Sequence, residues 1–240
     1  MKATGLFFVL AGLLIVQSAQ GSVIQLTWQG APHAQAYAYA KSHAAIDQDQ
    51  PVEDIQNHHA DVNAHAMAQH NPSQWQETFM DSLIEGLETP GLARLHSLMS
   101  FETTGAGAQR EGNGNGHTDF GGYLLIDSEN LFPTGTDLTL EIAATPAAGQ
   151  GWTNRSWSMR VYDMQGGTLL GTLGDGSLGA SLSVTSGSSV YVVFEHQVSK
   201  ANVPNGQATD EVSVAFSTIP EPASLLLLSL GAAGLVRRRR

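Results

Sequence analysis

The hydrophobic and polar positions divide the chain into two stretches with different periods. From Leu92 onward, apolar residues alternate with polar or small ones: Leu138/Leu140/Ile142, Trp157/Met159/Val161, Leu178/Ala180/Leu182/Val184, Val190/Val192/Phe194 and Val212/Val214/Phe216. A repeat of two is the mark of a strand with one buried face. Leu92 to Phe101, Phe120 to Ile126 and Thr168 to Leu173 add three more strands. Turn signals separate the segments at 112–116 (Gly-Asn-Gly-Asn-Gly), Gly149-Gln-Gly151, Gly166-Gly167, Asp175-Gly176, Ser186-Gly187 and Pro204-Asn-Gly206. About eight or nine short strands, with no repeat at a period of about 20 to 50 residues, predict an antiparallel β-sandwich of jelly-roll kind. In that register Trp157, Val161, Leu182, Val192, Phe194 and Val214 face inward, and Ser158, Arg160, Ser183 and Ser213 face out.

Before Leu92 the pattern changes. Val23 to Trp28 reads as a strand, while 34–50 holds few strong apolar residues and is open between loop, edge strand and disorder. Val52, Ile55, His59, Val62 and Ala66 then recur at steps of three and four, with Pro51 at the start and Asn71-Pro72 at the end. Ser73-Gln74-Trp75-Gln76 resembles a capping box, and Trp75, Phe79, Met80, Leu83, Ile84 and Leu87 form a second stripe closed by Thr89-Pro90. Two helices joined at Pro72 are predicted. The expected fold is therefore mainly β, with a short helical segment inside residues 22–91 and a sandwich over 92–218.

The two ends carry address signals. Lys2, the apolar stretch Leu6 to Val16 and Ala19-Gln20-Gly21 have the three-part layout of a secretory signal peptide over 1–21, which signal peptidase would cut between Gly21 and Ser22. At the other end, Pro220-Glu221-Pro222 precedes an apolar run from Leu225 to Val236 and four arginines, Arg237, Arg238, Arg239 and Arg240. The run predicts a C-terminal apolar helix of roughly 21 Å from Ala223 to Val236, short against the ~30 Å hydrocarbon layer of a membrane. The arginines favour the cytoplasmic side.

This tail, 219–240, resembles the PEP-CTERM sorting signal of Gram-negative bacteria, also catalogued as an ice-binding protein C-terminal domain. The resemblance implies export, transient residence in the inner membrane, cleavage near the Pro-Glu-Pro by an exosortase-type enzyme, and delivery to the cell surface or release. It also implies an association with extracellular polysaccharide and biofilm. Ice binding itself calls for flat arrays of Thr-x-Thr, and only Thr134-Gly-Thr136 and Thr139 approach that.

Charge narrows the partners. Charged residues make up 14% of the 240-residue chain, against about 25% in average soluble proteins. Residues 22–219 hold six basic side chains against 21 acidic ones, about −15 in all. Nucleic acid is excluded as a partner on that balance. With no cysteine there is no disulfide framework, thiol chemistry or thiolate metal site.

Catalytic motifs are absent. Gly174-Asp-Gly-Ser-Leu-Gly179 fits G-x-G-x-x-G, but a strand follows it where a dinucleotide site needs a helix, so Asp175-Gly176 reads as a turn. Neither G-x-S-x-G nor H-E-x-x-H occurs. Seven of the nine histidines lie between His33 and His96. On a helix, His58, Asp61 and His65 would share one face as a ligand set for zinc, copper or nickel, with His59 and His70 in reserve. The competing reading is that histidine is a tolerated polar residue in an Ala/His/Gln segment. The expected function is a non-enzymatic surface or matrix protein without a cofactor; the alternatives are a metal-binding module and a polysaccharide hydrolase.

Overall fold

The computed structural model describes residues 24–54, 59–127, 131–147, 151–164 and 167–220. In chain order the strands are β1 (Gln25–Ser42), β2 (Ala45–Asp49), β3 (Val52–Asp54), β4 (His59–Asn71), β5 (Gln74–Thr89), β6 (Leu92–Ala106) and β7 (Arg110–Asp127). They continue as β8 (Asp137–Ala147), β9 (Asn154–Asp163), β10 (Leu169–Gly174), β11 (Gly179–Thr185), β12 (Ser189–Val203) and β13 (Gly206–Pro220). Strands make up 82% of the structure, in two antiparallel sheets, and no helix occurs among the described residues.

The two predicted helices are therefore corrected to strands β4 and β5. In β4, Ala60, Val62, Ala64, Ala66 and Ala68 are buried while His59, Asp61, Asn63, His65 and Met67 are exposed. That is a period of two written in alanine. Alanine is the best helix former, but packing of the alternate face against a second sheet decides the outcome here. In β5, Trp75, Phe79, Leu83 and Leu87 are four apart, a spacing that keeps residues on one face of a helix and of a strand alike. The inward set is Gln76, Thr78, Met80, Ser82 and Ile84, and its polar members disguised the alternation. The predicted C-terminal helix lies outside the described residues.

Other segments extend further than their patterns suggested. The strand expected at Val23 to Trp28 continues as β1 to Ser42, and β2 follows as an edge strand. The glycines at 112–116, read as a turn, lie within β7. All six residues expected inward between Trp157 and Val214 are buried, and Ser158, Arg160, Ser183 and Ser213 are not.

One sheet runs β10-β9-β12-β7-β1-β2, with β3 also on β1, and the other runs β11-β8-β13-β6-β5-β4. Some strands adjacent in sequence lie in opposite sheets and face each other across the sandwich, as with β6 and β7, β10 and β11, and β12 and β13. Residues on both sides of Leu92 share both sheets: β1 pairs with β7, and β5 with β6. At the edge, the carboxylates of Asp47 and Asp49 on β2 accept the backbone N–H groups of Met67 and His65 on β4 at 2.8 and 3.0 Å. These bonds occupy donors that an edge strand would otherwise offer to another chain.

Between the sheets the filling changes along the strands. At the end where β1 begins and β13 finishes, Trp28 packs edge-on against Phe120 and Phe216, each at 5.0 Å. Leu124, Ile126, Leu138, Val192 and Phe194 complete that region. The pair Gly30 and Gly122 sits beneath the Phe120 ring, with no room for a side chain: a Cβ on Gly122 would come 2.7 Å from the ring edge. At the opposite, distal end the buried residues are Ala34, Ala36, Ala38 and Ala40 on β1, the alanines of β4, and Gly112, Gly114 and Gly116 on β7.

Candidate functional site

Burying alanine and glycine on β1 and β7 turns the intervening residues outward. The strand register then lines them up in rows across four strands. Tyr37, Asn115, Ser199 and Asn154 form one row, and Gln35, His117, Gln197 and Ser156 form the next. A groove of about 790 Å³ lies over these rows, with Gln50 at its rim. Its lining brings together five side-chain amides, Gln35, Gln50, Asn115, Asn154 and Gln197, with Ser156, Ser199, Tyr37, the His117 imidazole and the Arg155 guanidinium, and holds no carboxylate among the described side chains. Each amide offers both donors and an acceptor. Burial, and then the neighbouring Tyr39, raise the Tyr37 phenol above its ordinary value of 10.0.

The groove is remote from the chain ends. Ile24 accepts a bond from the Gly91 N–H at 3.1 Å, and Ser217 near the end of β13 pairs with Leu92, so both ends leave from one end of the sandwich. Gln35 lies ten residues along β1 from Gln25, roughly 33 Å at the rise of a strand. Nearer the chain ends, the same outer face carries Tyr123, Tyr191 and Tyr162, with ring centres 5.0 and 6.4 Å apart. These tyrosines line a smaller hollow of about 440 Å³ with Arg160 and Met164.

Next to the groove, the third row begins with His33 opposite Asp119. His33 Nδ1 lies 3.2 Å and His117 Nε2 3.8 Å from Asp119 Oδ2. The His117 Nε2 atom is buried and has no hydrogen-bond partner. Sequence reasoning missed this cluster because it sought histidines at helical spacing. His117-x-Asp119, two apart on a glycine-rich strand, was the available signal.

A second polar constellation crosses the interior. His196 Nε2 donates to Asp210 at 3.2 Å, and Asp210 also accepts from Arg155 Nε. His196 Nδ1 and the Ser97 hydroxyl share a hydrogen bond at 2.9 Å, and Ser97 shares another with the Thr118 hydroxyl at 2.7 Å. Burial alone would raise the Asp210 carboxyl, but the hydrogen bonds and charges of His196 and Arg155 hold it below its ordinary value. The connectivity imitates a nucleophile, base and orienting acid. Ser97, His196 and Asp210 are all buried between the sheets, so no substrate reaches the hydroxyl, and the group ties β6, β7, β9, β12 and β13 together.

The histidines singled out from sequence are arranged otherwise. Asp61 and His65 lie four residues apart on the exposed face of β4, roughly 13 Å along a strand, and β4 does not bring them to one ion. His65 pairs instead with Glu77 at 2.8 Å and stacks on Phe79 at 4.3 Å. His59 lies near Glu85 at 3.7 Å, and the His70 ring approaches His43 at 5.1 Å. His58 is outside the described residues, as are Gly21, Ser22, Glu221, Pro222 and Arg237 to Arg240.

The two sheets and the outer groove define a β-sandwich with a solvent-facing cleft on one sheet. Residues 218–240 match the PEP-CTERM protein-sorting motif, so the chain carries the signal that routes an exported protein to an exosortase. Pro220, the first residue of that signal's Pro-Glu-Pro, is the last residue of β13. No curated protein and no solved structure matches the chain. Among the described residues no helix is long and apolar enough to cross a membrane.

Proposed function

We propose that this chain is a non-enzymatic surface or matrix protein whose sandwich binds neutral extracellular polysaccharide in the groove of β9, β12, β7 and β1. The observation that carries this reading is the groove's composition. Amides, hydroxyls and one tyrosine can meet the hydroxyl pattern of a sugar chain as both donors and acceptors, with the phenol ring as an apolar platform. Among the described side chains the lining offers amides and hydroxyls, whereas glycoside hydrolysis uses a pair of acids about 5 to 10 Å apart. Its position fits the same reading: the groove lies at the end of the sandwich opposite Pro220, away from the residues the sorting signal occupies.

Affinity electrophoresis through gels containing the polysaccharide extracted from the producing cells tests it. The protein should be retarded, and Tyr37→Ala combined with Gln197→Ala should migrate as in a blank gel while melting at the wild-type temperature. Unretarded wild type, or a double variant retarded like wild type, overturns the proposal.

A further inference from the structure

We propose that His33, His117 and Asp119 form a binding site for a divalent transition-metal ion beside the groove. Two imidazoles and one carboxylate are a donor set suited to zinc, nickel or copper. Three observations place the donors around a common point. All three ligand atoms lie within 4.8 Å of one another, the only such group among the described residues. A tetrahedral ion with bonds of about 2.0 to 2.2 Å holds its ligands about 3.3 to 3.6 Å apart, and the edges to Asp119 Oδ2 are 3.2 Å, spanned in the metal-free protein by a His33 hydrogen bond, and 3.8 Å. Finally, His117 Nε2 is withdrawn from solvent without a hydrogen-bond partner, which an ion would supply.

The scaffold suits the task. His117 and Asp119 sit two apart on the central strand β7, and His33 is the direct partner of Asp119 on β1, so three side chains of one pleated face converge without a loop. Glu195 on β12, the other partner of Asp119, adds negative charge nearby while pairing with Arg160 at 3.6 Å. The histidines of the opposite sheet are committed elsewhere: both ring nitrogens of His96 meet glutamates, Glu85 at 3.1 Å and Glu211 at 3.2 Å. With three protein ligands, the ion would keep an open position.

The site shares His117 with the groove lining but does not rest on the polysaccharide reading, and its test uses no sugar. The full chain in detergent is titrated calorimetrically with zinc chloride alone, and a parallel sample with cobalt(II) is followed by its visible absorption. One equivalent should bind, with the intense visible bands of a four- or five-coordinate cobalt centre. His117→Ala and Asp119→Asn should each weaken binding about tenfold or more while keeping the metal-free melting temperature, and His65→Ala should bind as wild type. No binding by the wild type overturns the proposal. So does undiminished binding by both His117→Ala and Asp119→Asn, or loss of binding in His65→Ala.

Discussion

The two ends of the sandwich are packed on opposite plans. At the end near the chain termini, Trp28, Phe120, Phe216, Leu138 and Phe194 fill the space between sheets. At the distal end, alanines of β1 and β4 and glycines of β7 do so, with Met80, Met99 and Phe101 from the facing sheet standing over the glycines. The large-residue end gains stability from apolar area removed from water. The small-residue end gains from fit, and it leaves the outward positions of the same strands to supply the groove.

The comparison predicts opposite responses to substitution. Truncation should be costly at the large end: Phe194→Ala is expected to lower unfolding stability by about 3 to 5 kcal/mol, whereas Ala36→Gly at the distal end should cost only about 0.5 to 1 kcal/mol. Denaturant titration of both variants measures the contrast, and equal losses would break it. Between the two ends, Asp210→Ala should also cost about 3 to 5 kcal/mol, because it leaves His196 buried without its carboxylate and strips the half-buried Arg155 to its outer partner Asp175.

The same carboxylate sets an acid limit. Its pKa is lower in the folded state than the unfolded value of about 3.9, so its contribution is present above that value and is lost as pH falls through the folded pKa. Wild-type stability should therefore decline on acidification below pH ~4, and Asp210→Asn should flatten that decline in a pH series of melting curves.

Enlargement should be the costly change at the distal end. Gly116→Val drives its side chain into the Met80 methyl group, with the Met99 sulfur and Ser82 hydroxyl within 2.8 Å of a Cβ there, and should lose about 1 to 3 kcal/mol. Pairing it with Met80→Ala should recover part of that loss, a coupling that a double-mutant cycle reads directly. On the outer face, Tyr37→Ala should change stability by no more than about 0.5 kcal/mol, even though it removes a groove residue.

Legibility from sequence followed the same division. Strands β8, β9, β12 and β13 announce themselves because their inward residues are leucine, valine, phenylalanine and tryptophan. The distal parts of β1 and β7, and β4, alternate as well, but with alanine or glycine inward, and a reading that weights only strong apolar residues passes over them. His59, Val62 and Ala66 then fit a helical stripe although β4 buries only the last two. The groove inherits that blindness, since its residues become a site only through the register of β1, β7, β12 and β9. The sorting tail needs no partner strand to be recognised, and the motif match over 218–240 bears out that resemblance.

The central claim, that the distal outer face of β1, β7 and β12 is the binding surface, is tested most directly by hydrogen exchange of the protein with and without the polysaccharide from its own cells. Bound sugar should slow exchange in segments 35–39, 113–117 and 197–199 and leave the opposite sheet, including 77–85, unchanged. Slowing confined to the opposite sheet, or no slowing at saturating polysaccharide, would contradict it.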